Sequence, residues 1–248
     1  MLAGVGCGRK SDESAAPAAS ALAASTPDPA TASWHCAIDA KGMTHVELPG
    51  LKEHILGDTS AASGALDIVP ADLAKSRGLI RVDLSTFATR TFGDEGKDAT
   101  QTKHARTWLE VVVDGKMNES LRWAEFAIRS IDGLSASDLR SVSPTLDGGD
   151  DVRNVTMTVH GDLLVHGHKV PKEDIAEVAF RFPSGASPTS KPKQITIKSK
   201  QPMQVVLKEH DVSPRDPAGQ VLAWTTSLIS KVAETASVTV DLTATPLP

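Results

Sequence analysis

Residues 154–165, NVTMTVHGDLLV, alternate apolar and polar side chains with a period of two. Successive side chains of a β-strand point to opposite faces, so the stretch predicts a strand with one buried and one solvated side. The same alternation recurs in residues 79–87, 176–182, 203–207 and 238–242. A chain built mostly of such strands has to bury their apolar faces together. A single closed sheet would do so around an apolar interior.

The order of the segments predicts a β-rich domain over residues 34–248, preceded by a disordered tether over residues 1–33. Further strands are expected around 43–47, 64–68, 122–131 and 195–197, and helices at 104–112 and 219–232, where apolar residues recur with helical spacing. No alternation of strands and helices suggests a parallel sheet. The fold class is therefore all-β, with one or two short helices.

The composition excludes some classes of partner. The chain has 248 residues, with 26 basic and 31 acidic side chains and a net charge of −5, and this balance argues against a nucleic-acid partner. It has four Trp, five Phe and no Tyr, so platforms for stacking bases or sugars are not expected. We expect a soluble globular domain behind the tether.

Small residues precede Cys7, and a segment rich in Ala, Ser and Pro follows it. This arrangement resembles the cleavage site of a bacterial lipoprotein, in which the cysteine carries the lipid. Six residues precede Cys7, whereas an export signal needs an apolar stretch of about 7–15 residues. The favoured interpretation is a truncated signal with lipidation at Cys7; the alternative is an ordinary disordered terminus. With Cys7 lipidated, Cys36 has no partner within the chain, and a disulfide framework is excluded.

Several motifs resemble, in their order and spacing, the YceI-like, lipocalin-like polyisoprenoid-binding family. They are HILG at 54–57, GALDI at 64–68, IRVDLSTFAT at 80–89, KHARTWL at 103–109, WAEFAI at 123–128 and GDLLVHG at 161–167. The resemblance covers roughly residues 43–245, and the chain departs from the pattern at 114–119, 141–151 and 208–212. It implies a single eight-stranded antiparallel barrel that holds an isoprenoid or another long apolar chain in its lumen.

The inward-facing apolar residues are the candidates for ligand contact. They are Ile80, Val82, Leu84, Phe126, Ile128, Val155, Met157, Val159, Leu163, Val178, Phe180, Val205, Leu207, Val238 and Val240. Leu66 and Ile68 face the same interior. The alternative is that these side chains fill a closed core and leave no space for a ligand.

Chemical motifs are few. His166 and His168 are two residues apart on what the pattern predicts to be one strand face, so they could chelate a metal only with a third ligand from elsewhere. No HExxH, CxxC, GxSxG or phosphate-loop motif occurs. We therefore predict no metal site, no cofactor and no catalytic residues.

The favoured function is the binding or carriage of an apolar isoprenoid lipid in the bacterial cell envelope, without catalysis. The protein would face the periplasm or the outer surface, anchored to the membrane through Cys7. The sequence is also compatible with a homodimer. The alternatives are a ligand-free structural or interaction module of the envelope and a histidine-dependent metal-binding protein.

Overall fold

The computed structural model of the protein describes residues 22–26, 33–49, 54–187, 189–222 and 234–248. Within these residues the chain is mostly β-strand, with one α-helix. The strands are β1 (Trp34–Ile38), β2 (Met43–Pro49), β3 (His54–Thr59), β4 (Ala62–Ile68), β5 (Arg77–Asp83), β6 (Ala88–Thr89), β7 (Val112–Val113), β8 (Lys116–Met117), β9 (Trp123–Asp132), β10 (Thr145–Asp147), β11 (Asp150–Val165), β12 (His168–Pro183), β13 (Gln194–Ser199), β14 (Met203–Val206) and β15 (Thr235–Pro246). The helix is α1 (Glu95–Trp108).

Eight of these strands close into a ring. Their order is β1-β4-β5-β9-β11-β12-β13-β15, every neighbouring pair is antiparallel, and β15 pairs back with β1. β15 pairs with β1 near its end, over residues 244–246, and with β2 over residues 237–241, and β3 pairs with β2. The prediction of an eight-stranded antiparallel barrel is confirmed. Closure leaves no free edge in the ring and turns the apolar face of each strand toward one interior.

The longest pair of strands, β11 and β12, contains the stretch whose alternation predicted the fold. They are joined by a two-residue turn in which His166 and Gly167 both have positive φ, 51° and 76°. That backbone suits a tight hairpin, because its twist matches the twist of the flanking strands. The histidine pair therefore does not share one strand face as expected: His166 lies in the turn, and His168 begins β12.

β9 contains a bulge at Arg129. Ser130 pairs with His160 and Ile128 pairs with Gly161, so the intervening residue has no partner on β11. Gly161 is needed beside the bulge, because a Cβ there would lie 2.5 Å from the Phe126 ring. The missing side chain lets the Phe126 ring pack closely against β11.

Two helix predictions need correction. The helix predicted at 104–112 runs instead from Glu95 to Trp108. It begins earlier because the Asp94 carboxylate accepts a hydrogen bond from the backbone N–H of Lys97 and caps the first turn, and it ends earlier, with Val112 already in β7. The helix predicted at 219–232 is not helical over 219–222, where Val221 instead bridges to Arg215. The rest of that prediction lies outside the described residues.

The strand predicted at 79–87 also ends early. β5 stops at Asp83, and residues Leu84–Thr86 form a 3-10 turn. The Asp83 carboxylate accepts hydrogen bonds from the backbone N–H and the hydroxyl of Ser85, which favours the turn over a continued strand.

Part of the predicted tether is ordered against the barrel. Arg129 donates to the Ser25 hydroxyl at 2.7 Å, and the Leu22 N–H donates to the Glu125 carboxylate at 2.7 Å. Residues 22–26 therefore lie along the outside of β9. Cys7 and the other residues before 22 lie outside the described part of the chain. No helix among the described residues has the length and hydropathy of a membrane span.

Candidate functional site

The interior of the barrel holds a cavity of about 230 Å³ whose surface is almost wholly carbon. It forms because inward side chains alternate with outward ones along every strand of the ring, and β-branched and Leu side chains dominate the inward set. Such a wall offers dispersion contacts and the exclusion of water, and almost no fixed polar partner. Its chemistry therefore suits a hydrocarbon.

The structure brings together most of the residues that the sequence marked as candidates. Those that line the cavity are Ile80, Val82, Leu84, Phe126, Ile128, Met157, Val159, Leu163, Val178, Phe180, Val205, Leu207, Val238 and Val240, together with Leu66 and Ile68. Contact of these residues with a ligand stays a prediction.

Val155 is the exception among the candidates. It is fully buried but does not line the cavity. Its place is in the packed core near one end of the barrel, where Trp34 meets the rings of Phe180 and Phe182 edge-on, with centroids 6.5 and 6.3 Å away. Val155 thus belongs to the buried core rather than to the cavity wall.

Other lining residues were not among the candidates. Val46, Val165, Ile195 and Ile197 lie in strands, and a stricter reading of the alternation could have found them. Leu73, Leu109 and Val212 reach the cavity from a 3-10 turn and from loops. No period in the sequence marks such residues, because their position depends on how each loop folds over the barrel.

Two titratable groups at the cavity wall are shifted toward their uncharged forms. Burial raises the pKa of Asp174, although the Ser199 hydroxyl donates to its carboxylate at 2.8 Å. Burial lowers the pKa of His210, whose Nδ1 lies 3.0 Å from the His168 carbonyl oxygen. Both shifts reduce the charge that a hydrocarbon would meet.

A polar network lies at the end of the barrel beside the β11–β12 turn. His166 Nε2 lies 2.6 Å from the Glu110 carboxylate, and Nδ1 lies 3.1 Å from the His210 carbonyl oxygen. Arg215 donates to Asp211 at 2.8 Å and lies 3.4 Å from Glu110. These contacts tie the segment after β14 to the hairpin and to the loop after α1.

The same network supplies the third ligand that the histidine pair lacked in the sequence. Donor atoms of His166, His168 and Asp211 all lie within 4.8 Å of one another. Asp211 is already paired with Arg215, however, and a guanidinium so close opposes the binding of a cation. The arrangement is better described as an ion-pair network, and the expectation of no metal site stays a prediction.

No protein-family model matches the chain, and no curated protein matches it. Among solved structures, a polyisoprenoid-binding domain from Saccharophagus degradans, implicated in plant cell wall breakdown, is similar with a TM-score of 0.51 and 13% identity, covering 86% of this chain and 98% of that one. BcnA from Burkholderia cenocepacia is similar with a TM-score of 0.49 and 15% identity, covering 84% of this chain and 99% of that one. The lipocalin-like fold expected from the sequence motifs is thus confirmed: the chain shares its fold with a polyisoprenoid-binding domain.

Proposed function

We propose that the protein binds an apolar lipid of the isoprenoid type in the barrel lumen and carries or sequesters it without chemical change. One observation carries the proposal: the barrel encloses a cavity whose wall is almost wholly apolar. The sequence motifs and the name of the Saccharophagus degradans domain support the isoprenoid class.

The physical basis is the burial of hydrocarbon. Each CH₂ group moved from water into the lumen contributes about 0.8 kcal/mol, so a few isoprene units offset the entropy lost on binding. A branched prenyl chain also suits a wall made of Val, Ile and Leu, because short branched side chains pack against methyl branches. The wall residues offer no activated nucleophile, which supports a binding protein over an enzyme.

The proposal places the protein in the bacterial cell envelope, held there by lipid on Cys7. The support is the sequence alone: small residues before Cys7 and a segment rich in Ala, Ser and Pro after it. Cell fractionation tests this part separately. When the protein is produced from its natural gene in the source bacterium, the wild type should partition with membranes and the Cys7→Ser variant should be released; equal partition of the two would refute the anchor.

Native mass spectrometry of the full chain, expressed in a bacterium, tests the binding function. We expect an added mass in the polyprenyl range that organic solvent releases and that identifies the lipid class. Protein that carries no lipid and takes up no added geranylgeraniol would refute the proposal and favour a ligand-free envelope module.

A further inference from the structure

Beyond the β12–β13 pairing of the ring, the first half of β12 faces β14 without a hydrogen-bond ladder. The ladder between β12 and β13 ends at the pair Ala176 and Ser199, and the Lys200 N–H then donates to the Ile175 carbonyl at 2.6 Å. Beyond this point β14 pairs with β15 only. Among the described residues, no backbone hydrogen bond joins residues 168–174 of β12 to residues 203–210. We call this boundary the lateral seam.

Prolines on both sides explain why the ladder stops. Pro171 lies in the half of β12 that pairs with β11 alone, and Pro202 lies in the interruption between β13 and β14. Proline has no N–H to donate, so within sheets it is confined to edges and bulges. The sequence thus prevents a regular ladder where these two segments face each other.

Side chains hold the lateral seam together instead. Lys172 Nζ lies 2.9 Å from the Glu209 carboxylate, and His210 Nδ1 lies 3.0 Å from the His168 carbonyl oxygen. The Glu209 side chain is half exposed whereas that of Lys172 is mostly buried, so water reaches the pair from the carboxylate side and weakens it. Opening the seam therefore breaks few contacts, whereas separating any two neighbouring strands of the eight-strand ring breaks a run of backbone hydrogen bonds.

The lateral seam separates the lumen from a polar groove on the outside. Asp174 on β12 and Met203 on β14 line both the cavity and this groove. The groove has a volume of about 610 Å³ and is also lined by Arg129, His160 and Lys172. A single layer of side chains thus divides an apolar interior from a charged surface, which is the arrangement that an amphiphile with one polar end would need.

We propose that the lipid enters and leaves the lumen sideways through the lateral seam, with its polar end held in the outer groove. The inference rests on the proposed function and adds the route and the orientation of the ligand. A sideways route keeps the polar end in water while the hydrocarbon enters the lumen. A lengthwise route from the aromatic end would have to displace Trp34, Phe180 and Phe182.

Cross-linking the lateral seam tests the route. In a Cys7→Ser background, Lys172→Cys and Glu209→Cys introduce two thiols across the seam, which a short bis-methanethiosulfonate reagent joins and a reductant releases. Cys36 is buried, and burial raises the pKa of its thiol to about 11, so it stays unreactive. The matched control is Lys198→Cys with Asp241→Cys, an ion pair of 2.9 Å across the intact β13–β15 ladder.

The measurement is the rate of geranylgeraniol uptake, followed by native mass spectrometry. We expect the seam cross-link to slow uptake by about ten-fold or more, with recovery after reduction, and the control cross-link to leave the rate within about two-fold, since a closed path lowers the association rate directly. Equal rates in the two cross-linked proteins would overturn the lateral route.

A second measurement needs no ligand, so failure of the route can be told from failure of the function. Hydrogen exchange in the unmodified protein should be about ten-fold or more faster in peptides covering residues 169–174 than in those covering residues 177–181 of the same strand, because only the latter have ladders on both sides. Equal protection would overturn the seam even if the lipid binds. Absence of geranylgeraniol uptake by the unmodified protein would refute the proposed function and, with it, the route.

Discussion

Filling the lumen should weaken lipid binding by an amount that the structure fixes. Val178 points inward from β12 and lines the cavity. The change Val178→Phe adds four carbon atoms to the lumen and so displaces about four carbons of ligand. At about 0.8 kcal/mol for each carbon, the loss is about 3 kcal/mol, or a roughly 200-fold rise in Kd. A smaller step, Ala176→Val, adds two carbons and should raise Kd roughly 15-fold.

The assay is titration with geranylgeraniol, with the melting temperature as the check that each variant is folded. Overpacking can lower the free energy of unfolding by about 1–3 kcal/mol. If Val178→Phe unfolds the protein, the smaller change Ala176→Val still tests the prediction. The matched control is Val221→Phe, because Val221 is 52% exposed and lies outside the cavity. A folded Val178→Phe protein that binds as tightly as the wild type would refute the location of the ligand in the lumen.

Three further predictions concern single side chains. Burial would raise the pKa of Asp83, but hydrogen bonds from Arg122 and Ser85 outweigh burial and lower it. The ionised Asp83 carboxylate therefore stabilises the fold fully above its unfolded pKa of about 3.9, and this stabilisation is lost as the pH falls through the lower pKa of the folded state. The change Asp83→Asn should make the free energy of unfolding decline less steeply in acid. Urea denaturation at several pH values measures this, and the same decline in variant and wild type would contradict it. Cys36 should resist iodoacetamide at pH 8 until the protein unfolds, and rapid labelling of folded protein would show that its thiol is accessible. Protein purified without a histidine tag should hold no stoichiometric metal; bound zinc that is lost in His168→Ala would reverse that expectation.

Much of the fold was predictable because its strands are half-buried. In β11 the period-two pattern places Val159 and Leu163 on the lumen side, and it holds because the barrel has one dry and one wet surface. The same logic identified most of the cavity wall. It could not separate Val155, which lies in the core, from Met157, which lines the cavity, since both lie on the inner face of one strand.

Features that depend on caps and turns were less predictable. The start of α1 depends on one hydrogen bond to Asp94, and β5 ends where Asp83 bonds to Ser85. Local side-chain bonds of this kind compete with the periodic pattern and move the ends of elements by several residues.

The alternation of apolar and polar residues is enough to predict half-buried strands around an apolar interior, because alternation is a local property of the covalent chain. Three features follow from the packing of the folded chain: the interior keeps a cavity, Asp211 lies beside the histidine pair, and β12 and β14 meet without a ladder. Each of these depends on the distance between residues that are far apart in the chain. Closure of the barrel sets those distances, and no local pattern records them.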